Sequence, residues 1–163
     1  MSQSSKPPEV KYRPNVALLL LDEDDKLLIC ERIGKDGAWQ FPQGGVDEGE
    51  DLITGLHREV WEEIGLKPED YELIDQRGGY RYTYPEEVRE KKMAKHGYMG
   101  QEQTYYLCRL NAKKSKIDVE QSPPEFQDTN WIKPKKFKLD WLPSFKRAVY
   151  KQVLIDFFDC DVS

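Results

Sequence analysis

The chain has 163 residues, 38% of them hydrophobic and 12% aromatic, and a formal net charge of −5 at pH 7. This length favours one domain around one core. The acidic balance does not by itself predict a nucleic-acid or membrane partner, and no apolar run approaches the roughly 18 residues that a membrane-spanning helix needs. We therefore expect no membrane partner.

Positive charge is concentrated near the C-terminal end of the chain. Between residues 131 and 151, a single acid, Asp140, accompanies seven basic residues: Lys133, Lys135, Lys136, Lys138, Lys146, Arg147 and Lys151. Such a segment is either a surface that meets a polyanion or an ordinary solvated face. Charge alone leaves both interpretations open.

The three cysteines, Cys30, Cys108 and Cys160, are far apart and show no metal-ligand spacing. An odd, scattered set is more typical of a reduced protein than of a disulfide scaffold. The first residues also lack the apolar core of a signal peptide. We therefore expect a cytoplasmic location.

The N-terminal part of the sequence predicts a tail followed by short strands. Residues 1–11 are polar and contain proline, which indicates a flexible tail before a single domain over residues 12–160. The apolar runs 16–21 and 26–31 flank four consecutive acids and predict a hairpin. A third extended piece is expected at residues 39–41.

A glycine-rich turn is expected at residues 44–49, followed by a helix over residues 51–64. Gly65 stands where a helix C-cap glycine belongs, and Pro68 prevents continuation. The apolar stripe that should face the core consists of Ile53, Leu56 and Val60, continued by Ile64.

The remaining elements complete an α+β prediction. Four further strands are expected, at residues 71–76, 80–84, 101–110 and 130–132. A charged connection at 85–100 contains a possible helical turn, and a last helix spans 144–158. The side chains expected on its buried line are Phe145, Ala148, Val149, Gln152 and Ile155. Because strands and helices do not alternate regularly, we predict a mixed β-sheet flanked by helices, a three-layer α/β/α sandwich.

Three glutamates of the predicted first helix would lie on one face. Glu59, Glu62 and Glu63 are three and four residues apart, so their carboxylates form one acidic cluster. Such carboxylates repel one another unless a cation lies among them, and oxygen ligands select magnesium, calcium or manganese over zinc. Taken alone, the pattern would more often be a charged helix face, so its surroundings decide.

Those surroundings match the complete Nudix box across residues 44–66. Gly44, Glu50, Arg58-Glu59, Glu62-Glu63 and Gly65-Leu66 stand at the defined spacings, and the chain therefore resembles the Nudix hydrolases. The chemistry agrees, because hydrolysis of a diphosphate needs its negative charge neutralised. The glycine turn would let the Gly44 carbonyl approach a metal. We expect Arg58 to pair with a carboxylate such as Glu50, in a structural role.

Segments outside the box resemble one branch of that family, the branch of bacterial RNA pyrophosphohydrolase and plant-type asymmetric diadenosine tetraphosphate hydrolase. The resemblance covers most of the chain but breaks down at residues 85–98. The segments that carry it are Tyr12–Val16, Trp39–Gly45, Gly100–Gln103, Pro124–Phe126 with Trp131, and Ser144–Arg147 with Tyr150.

This resemblance implies roles for residues that are distant in sequence. Glu125 would complete the metal site and the catalytic set of Glu59, Glu62 and Glu63. The cofactor would be Mg²⁺, with Mn²⁺ able to substitute. The substrate-binding residues would be Arg13 and Lys146 for phosphates, Arg32 and Phe145 around a nucleobase, and Gln43. Tyr80, Tyr82 and Tyr84 alternate along one strand and face either the core or the cleft.

The favoured function is removal of pyrophosphate from the 5′ end of triphosphorylated RNA. Asymmetric cleavage of diadenosine polyphosphates is the alternative, and hydrolysis of an oxidised nucleoside triphosphate is a more distant one. A fourth hypothesis, of another class, is a non-catalytic nucleotide-binding module. The intact box argues against it, because such a module has no need to keep every carboxylate.

Overall fold

The computed structural model describes residues 11–121 and 123–163, so all but one residue of the expected tail lies outside the described residues. None of the helices among these residues combines the length and the apolar character that a membrane span requires. The elements are β1 (Tyr12–Leu21), β2 (Leu27–Arg32), β3 (Trp39–Gln40), β4 (Gln43–Gly45), α1 (Leu52–Ile64), β5 (Tyr71–Thr83), α2 (Glu86–His96), β6 (Gly100–Leu110), β7 (Phe126–Ile132) and α3 (Ser144–Phe158).

Strand β1 is the centre of a mixed, 7-stranded sheet. It runs parallel to β6 from Tyr12, opposite Gly100, to Leu21, opposite Arg109. On its other side it pairs with β4 and forms the expected hairpin with β2. Strand β5 is antiparallel to β6, while β3 and β7 flank β2. The mixed sheet predicted from the sequence is confirmed.

The two faces of β1 explain why the fold has three layers. Alternate residues of a strand point to opposite faces, and residues 16–21 are apolar on both. Ala17, Leu19 and Leu21 belong to the core that α3 covers. Val16, Leu18 and Leu20 belong to the core that α1 covers. The predicted α/β/α arrangement is therefore confirmed.

Helix α1 begins and ends as its sequence indicates. The Asp51 carboxylate caps it by accepting the Thr54 N–H at 2.9 Å, and Gly65 ends it with a left-handed backbone at φ 71°. Leu56 and Val60 are buried as expected, but Ile53 is 38% exposed. The prediction that Ile53 is buried was wrong. The residue of the first turn that packs against the neighbouring loop is Gly55, which lies next to the Val46 side chain.

Three other expectations need correction. Residues 43–45 are a strand paired with β1, so the glycine-rich turn begins later. The two strands expected at 71–76 and 80–84 form one strand, β5, with irregular pairing between Arg77 and Tyr80. The charged connection holds a complete helix, α2, none of whose residues is buried.

The buried line of α3 also differs from the expected one. The buried residues are Val149, Tyr150, Val153 and Leu154, whereas Ala148 and Gln152 are exposed. The Tyr150 ring stacks on the Phe41 ring at 4.9 Å between centroids, and its hydroxyl accepts the Phe41 N–H at 3.2 Å. These contacts set the face that α3 turns to the sheet.

The central position of β1 leads to a test with two leucines. Leu19 is fully buried on β1, whereas Leu73 on β5 is 46% exposed. We expect Leu19→Ala to lower the free energy of unfolding by about 2–5 kcal/mol. The control Leu73→Ala should change it by about 0.5 kcal/mol or less. Urea unfolding of both variants measures the difference, and similar losses would contradict the central role of β1.

Candidate metal and phosphate site

A cavity of about 380 Å³ brings the box glutamates together with Glu125. Its walls are Glu59, Trp61, Glu62 and Glu63 from α1, and Gln121, Pro123 and Glu125 from the segment before β7. The structure therefore places in one cavity the four carboxylates expected to share a site. Their roles as metal ligands remain predictions.

The path of the chain into β7 explains how Glu125 reaches α1. Phe126 is buried and pairs with Arg32 at the end of β2, where the register shifts. The Ile33 N–H donates to the Glu125 carbonyl at 3.0 Å, and the Asp118 N–H donates to the Ile64 carbonyl at 2.8 Å. These bonds hold Glu125 against the end of β2 and Asp118 against the end of α1.

Glu63 is the most buried of the four carboxylates, with 5% of its surface exposed. Its Oε1 accepts the Gln43 N–H at 2.9 Å. Burial raises the pKa of Glu63 well above its usual value, and the charges of Glu59 and Glu125 raise it further. A cation in the cavity would oppose both effects, because it favours the ionised form.

The Glu59 carboxylate lies directly against the backbone of Gly44. A Cβ at this position would stand 2.0 Å from the carboxyl carbon of Glu59, so only glycine leaves room for both groups. Burial raises the pKa of the Glu59 carboxyl, although Arg58 opposes this. The site therefore holds a carboxylate beside bare backbone, a set of oxygen donors that fits a hard divalent cation.

Arg58 binds groups from three segments of the site. Its guanidinium donates to Glu50 at 2.8 and 2.9 Å, to Glu59 at 2.9 Å and to Glu62 at 3.3 Å. It also donates to the Gly45 carbonyl at 2.9 Å. The expected pairing of Arg58 with Glu50 is present, and the bonds to Glu59 and Glu62 are additional.

These bonds set the arrangement of the carboxylates. Arg58 holds Glu59 and Glu62, and the Gln43 amide holds Glu63. In residues 11–121 and 123–163, no three His, Cys, Asp or Glu side chains already stand together as a complete metal site. The donors fit the cation in chemical type, and the Glu59 and Glu62 side chains would have to turn from Arg58 to surround it.

Of the two cations expected to bind phosphate, Arg13 lies beside this site and Lys146 lies against two aromatic rings. The Arg13 guanidinium covers Gly45, where a Cβ would lie 2.2 Å from its Cζ. The Lys146 Nζ lies 5.8 Å from the Tyr82 ring centroid and 5.9 Å from that of Phe145. Burial, together with the charges of Arg32, Lys35 and Lys92, lowers the pKa of Lys146 to about 8. A phosphate beside this ammonium would favour its charged form.

The tyrosines of β5 face the core that α3 covers. Tyr82 and Tyr84 are buried, with ring centroids 5.5 and 6.3 Å from that of Phe145. The Tyr80 hydroxyl donates to Asp156 on α3 at 2.7 Å. Phe145 is only partly buried, so part of its ring is accessible, and its stacking against a base remains a prediction.

A buried polar network positions Gln43, and the sequence reading missed it. Asn15 is 1% exposed. Its amide donates to Gln43 at 2.7 Å and to Gln101 at 2.8 Å, and its oxygen accepts from Gln103 at 3.0 Å. The Gln43 side-chain oxygen is thus bonded within the protein. The signal in the sequence was an asparagine in an otherwise apolar strand.

The basic residues between 131 and 151 do not form one surface. Lys133 and Lys135 line a separate cavity of about 520 Å³ with Leu21 and Asp25, at the hairpin end of the sheet. The Arg147 guanidinium donates to the Leu142 carbonyl at 3.0 Å.

The comparisons with known proteins agree with this geometry. A model of the NUDIX domain matches residues 11–153. The chain is 38% identical over 145 residues to an RNA pyrophosphohydrolase of Teredinibacter turnerae, covering 88% of this chain and 83% of that one. It is 41% identical over 152 residues to the RNA pyrophosphohydrolase of Helicobacter pylori strain G27, covering 90% and 94%.

Two solved structures share the fold. The E. coli dihydroneopterin triphosphate pyrophosphohydrolase superposes with a TM-score of 0.66 at 21% identity, covering 91% of this chain and 99% of that one. A C. elegans Ap4A hydrolase gives 0.61 at 16% identity, covering 86% and 94%. At these identities the likeness shows the fold alone.

The bond between Arg58 and Glu50 leads to a test of stability against pH. Hydrogen bonding from Arg58 and from the Asp47 N–H lowers the pKa of Glu50 to about 2 from an ordinary 4.5. Ionised Glu50 therefore stabilises the fold fully at a pH above about 4.5. This contribution is lost as the pH falls toward about 2.

We expect Glu50→Gln to unfold at lower urea concentration than the wild type near neutral pH, with a difference that shrinks across that acidic range. Glu48→Gln, at an exposed neighbouring position, is the matched control and should show no such dependence. A Glu50→Gln effect that stays constant with pH would contradict the assigned bond.

Proposed function

We propose that this chain, which belongs to the Nudix family by its match over residues 11–153, removes pyrophosphate from the 5′ end of triphosphorylated RNA. The observation that carries the proposal is its 38–41% identity, over most of its length, to RNA pyrophosphohydrolases. The cavity supports it, because four carboxylates line it and the Arg13 guanidinium lies against Gly45, next to the Gly44 backbone that Glu59 contacts.

Nudix hydrolases generally need a divalent metal ion, and we propose Mg²⁺ here, with Mn²⁺ able to substitute. The residues that would hold it are Glu59, Glu62, Glu63, Glu125 and the carbonyl of Gly44. When bound, the ion neutralises the charge of the diphosphate and acidifies the attacking water.

The protein's own cations would then orient the substrate. Arg13 and Lys146 are proposed to bind the phosphates, and Arg32 and Phe145 to enclose a nucleobase. Stacking on an aromatic ring is worth about 1–3 kcal/mol per base and tolerates any base. Arg58 would act through Glu59 and Glu62, as a positioning residue. Gln43, whose side chain is bonded to Asn15, would contact substrate only through its remaining amide hydrogens.

We also propose that residues 12–160 act as one domain and that the protein works in the cytoplasm. The α1 and α3 layers pack on opposite faces of the same strand, β1, which supports a single folding unit. All three cysteines are free, as suits a reducing compartment.

Cleavage of diadenosine polyphosphates is the alternative function, and a direct comparison of substrates decides between them. We expect kcat/KM for triphosphorylated RNA to exceed that for diadenosine tetraphosphate by about tenfold or more. A tenfold ratio corresponds to about 1.4 kcal/mol of extra transition-state binding. The reverse order would favour the alternative. Release of phosphate products from neither substrate with Mg²⁺ or Mn²⁺ would favour a non-catalytic module.

Glu63→Gln gives a test in which activity and stability move differently. The amide keeps an oxygen that can accept the Gln43 N–H, but it removes a buried negative charge. We expect kcat to fall by about a hundredfold or more, while the melting temperature does not fall, because repulsion within the cluster is relieved. Glu69→Gln, on an exposed residue, is the control. A variant that keeps a tenth of the wild-type turnover at saturating magnesium would disprove the role of Glu63.

A further inference from the structure

Helix α2 lies at the same end of the sheet as Arg13 and Lys146, the residues proposed to bind the substrate phosphates. It follows Tyr84, whose ring contacts Phe145, and Val88 packs it against the core that α3 covers. Beyond the helix, the Met99 N–H donates to the Lys11 carbonyl at 2.7 Å, close to Arg13 at the start of β1. The helix is thus anchored between the Arg13 and Lys146 sides of the cleft.

The anchored face of α2 is basic. Residues three and four positions apart share a helix face, so Lys92 lies one turn beyond Val88, and Lys95 and His96 lie about two turns beyond it. Lys92 is partly buried, whereas Lys95 is exposed. Glu86 and Glu90 lie on the opposite face, two residues either side of Val88.

These residues extend the positive charge of the cleft. Burial and the neighbouring Arg32, Lys35 and Lys92 lower the pKa of Lys146. Slight burial, together with Lys95, Lys92 and Arg13, lowers the pKa of His96. Five elements or turns therefore contribute cations to one positively charged region. We call this set the basic rim: Arg13, Arg32, Lys35, Lys92, Lys95 and Lys146.

The rim has no acidic partners in the part of the chain that the structure describes. None of its six residues forms a salt bridge there, as is also true of Lys133 and Lys135, so what distinguishes the rim is that its cations are gathered near one another. Gathering unpaired cations costs repulsion, and in a chain with a net charge of −5 acids were available to pair with them. An unpaired basic rim beside a hydrolytic cavity fits a polyanionic ligand.

We propose that the Lys92–Lys95 face of α2 binds the phosphates of the second and later nucleotides of an RNA substrate. This inference rests on the proposed function and adds the surface that distinguishes RNA from a dinucleoside polyphosphate, which has no phosphates beyond its second nucleoside. Phosphate contacts position a nucleic acid without reading its sequence, so the surface accepts RNA ends of any sequence.

RNA could instead run along the lysines that follow β7, at positions 133–138. That path begins far from the cavity that Glu125 lines. Ile132 pairs with Leu27, whereas Phe126 pairs with Arg32 at the other end of β2. Five residue steps of about 3.3 Å separate these ends by about 17 Å. Lys133 follows Ile132 directly, so it lies at the end of the sheet remote from Glu125.

Two matched double variants test the proposal. Lys92→Gln with Lys95→Gln removes two charges from α2 and keeps good helix formers, and Lys133→Gln with Lys135→Gln removes the same charge from the remote end. The probe is a fluorescent 5′-monophosphorylated RNA of about eight nucleotides, within the usual site size for single strands. Its binding is followed by anisotropy at several salt concentrations.

We expect the α2 variant to bind this RNA about tenfold more weakly, with the slope of log affinity against log salt reduced by about 1.4, or about 0.7 per lost phosphate contact. The Lys133–Lys135 variant should bind as the wild type does. Equal losses in both variants, a loss only in the second, or no loss in either would overturn the proposal.

A hydrolysis assay separates this result from the proposed function. If the wild type fails to hydrolyse triphosphorylated RNA but the α2 variant alone loses RNA binding, the surface stands and the proposed reaction fails. If hydrolysis proceeds and the α2 variant keeps both its KM for RNA and its RNA affinity, the reaction stands and the surface fails.

Discussion

The bonds of Arg58 fix the geometry on which the rest of the site depends. One guanidinium joins the loop through Glu50, the strand β4 through the Gly45 carbonyl, and its own helix through Glu59 and Glu62. Its planar set of five donors can make these bonds together, which a lysine ammonium could not. Because β4 is also paired with β1, the same residue ties α1 to the centre of the sheet.

The site balances two opposite concentrations of charge. Four carboxylates share one cavity, and the raised pKa values of Glu59 and Glu63 record the effects of their burial and mutual repulsion. Close by, burial and neighbouring cations lower the pKa of Lys146 to about 8. The bonds from Arg58 and from the Gln43 amide offset only part of the repulsion among the carboxylates, because the pKa values of Glu59 and Glu63 are still raised. A divalent cation would relieve the first and a polyphosphate the second, so we expect each ligand to favour binding of the other.

The sequence predicted those features that local spacing determines. The end of α1 at Ile64, its C-cap at Gly65 and the shared face of Glu59 and Glu63 follow from local spacing, and the structure agrees, whereas Asp51, expected as the first helical residue, is the N-cap. Glu125 could be linked to them only through resemblance, because its place depends on how β7 pairs with β2. Ile53 and Gln152 were misassigned because apolar spacing does not reveal which side of a helix meets the sheet. The basic face of α2 was missed because the family resemblance breaks down in that segment.

All of the proposed chemistry depends on a divalent cation held by the four glutamates around this cavity, and a crystal structure with Mn²⁺ is the sharpest test. Anomalous scattering locates the ion without reference to activity. We expect a manganese peak in the cavity, with oxygens of these glutamates within direct or one-water reach, and its loss in crystals of Glu63→Gln. A wild-type crystal whose manganese lies outside the cavity, or an unchanged peak in Glu63→Gln, would show that these glutamates do not hold the ion.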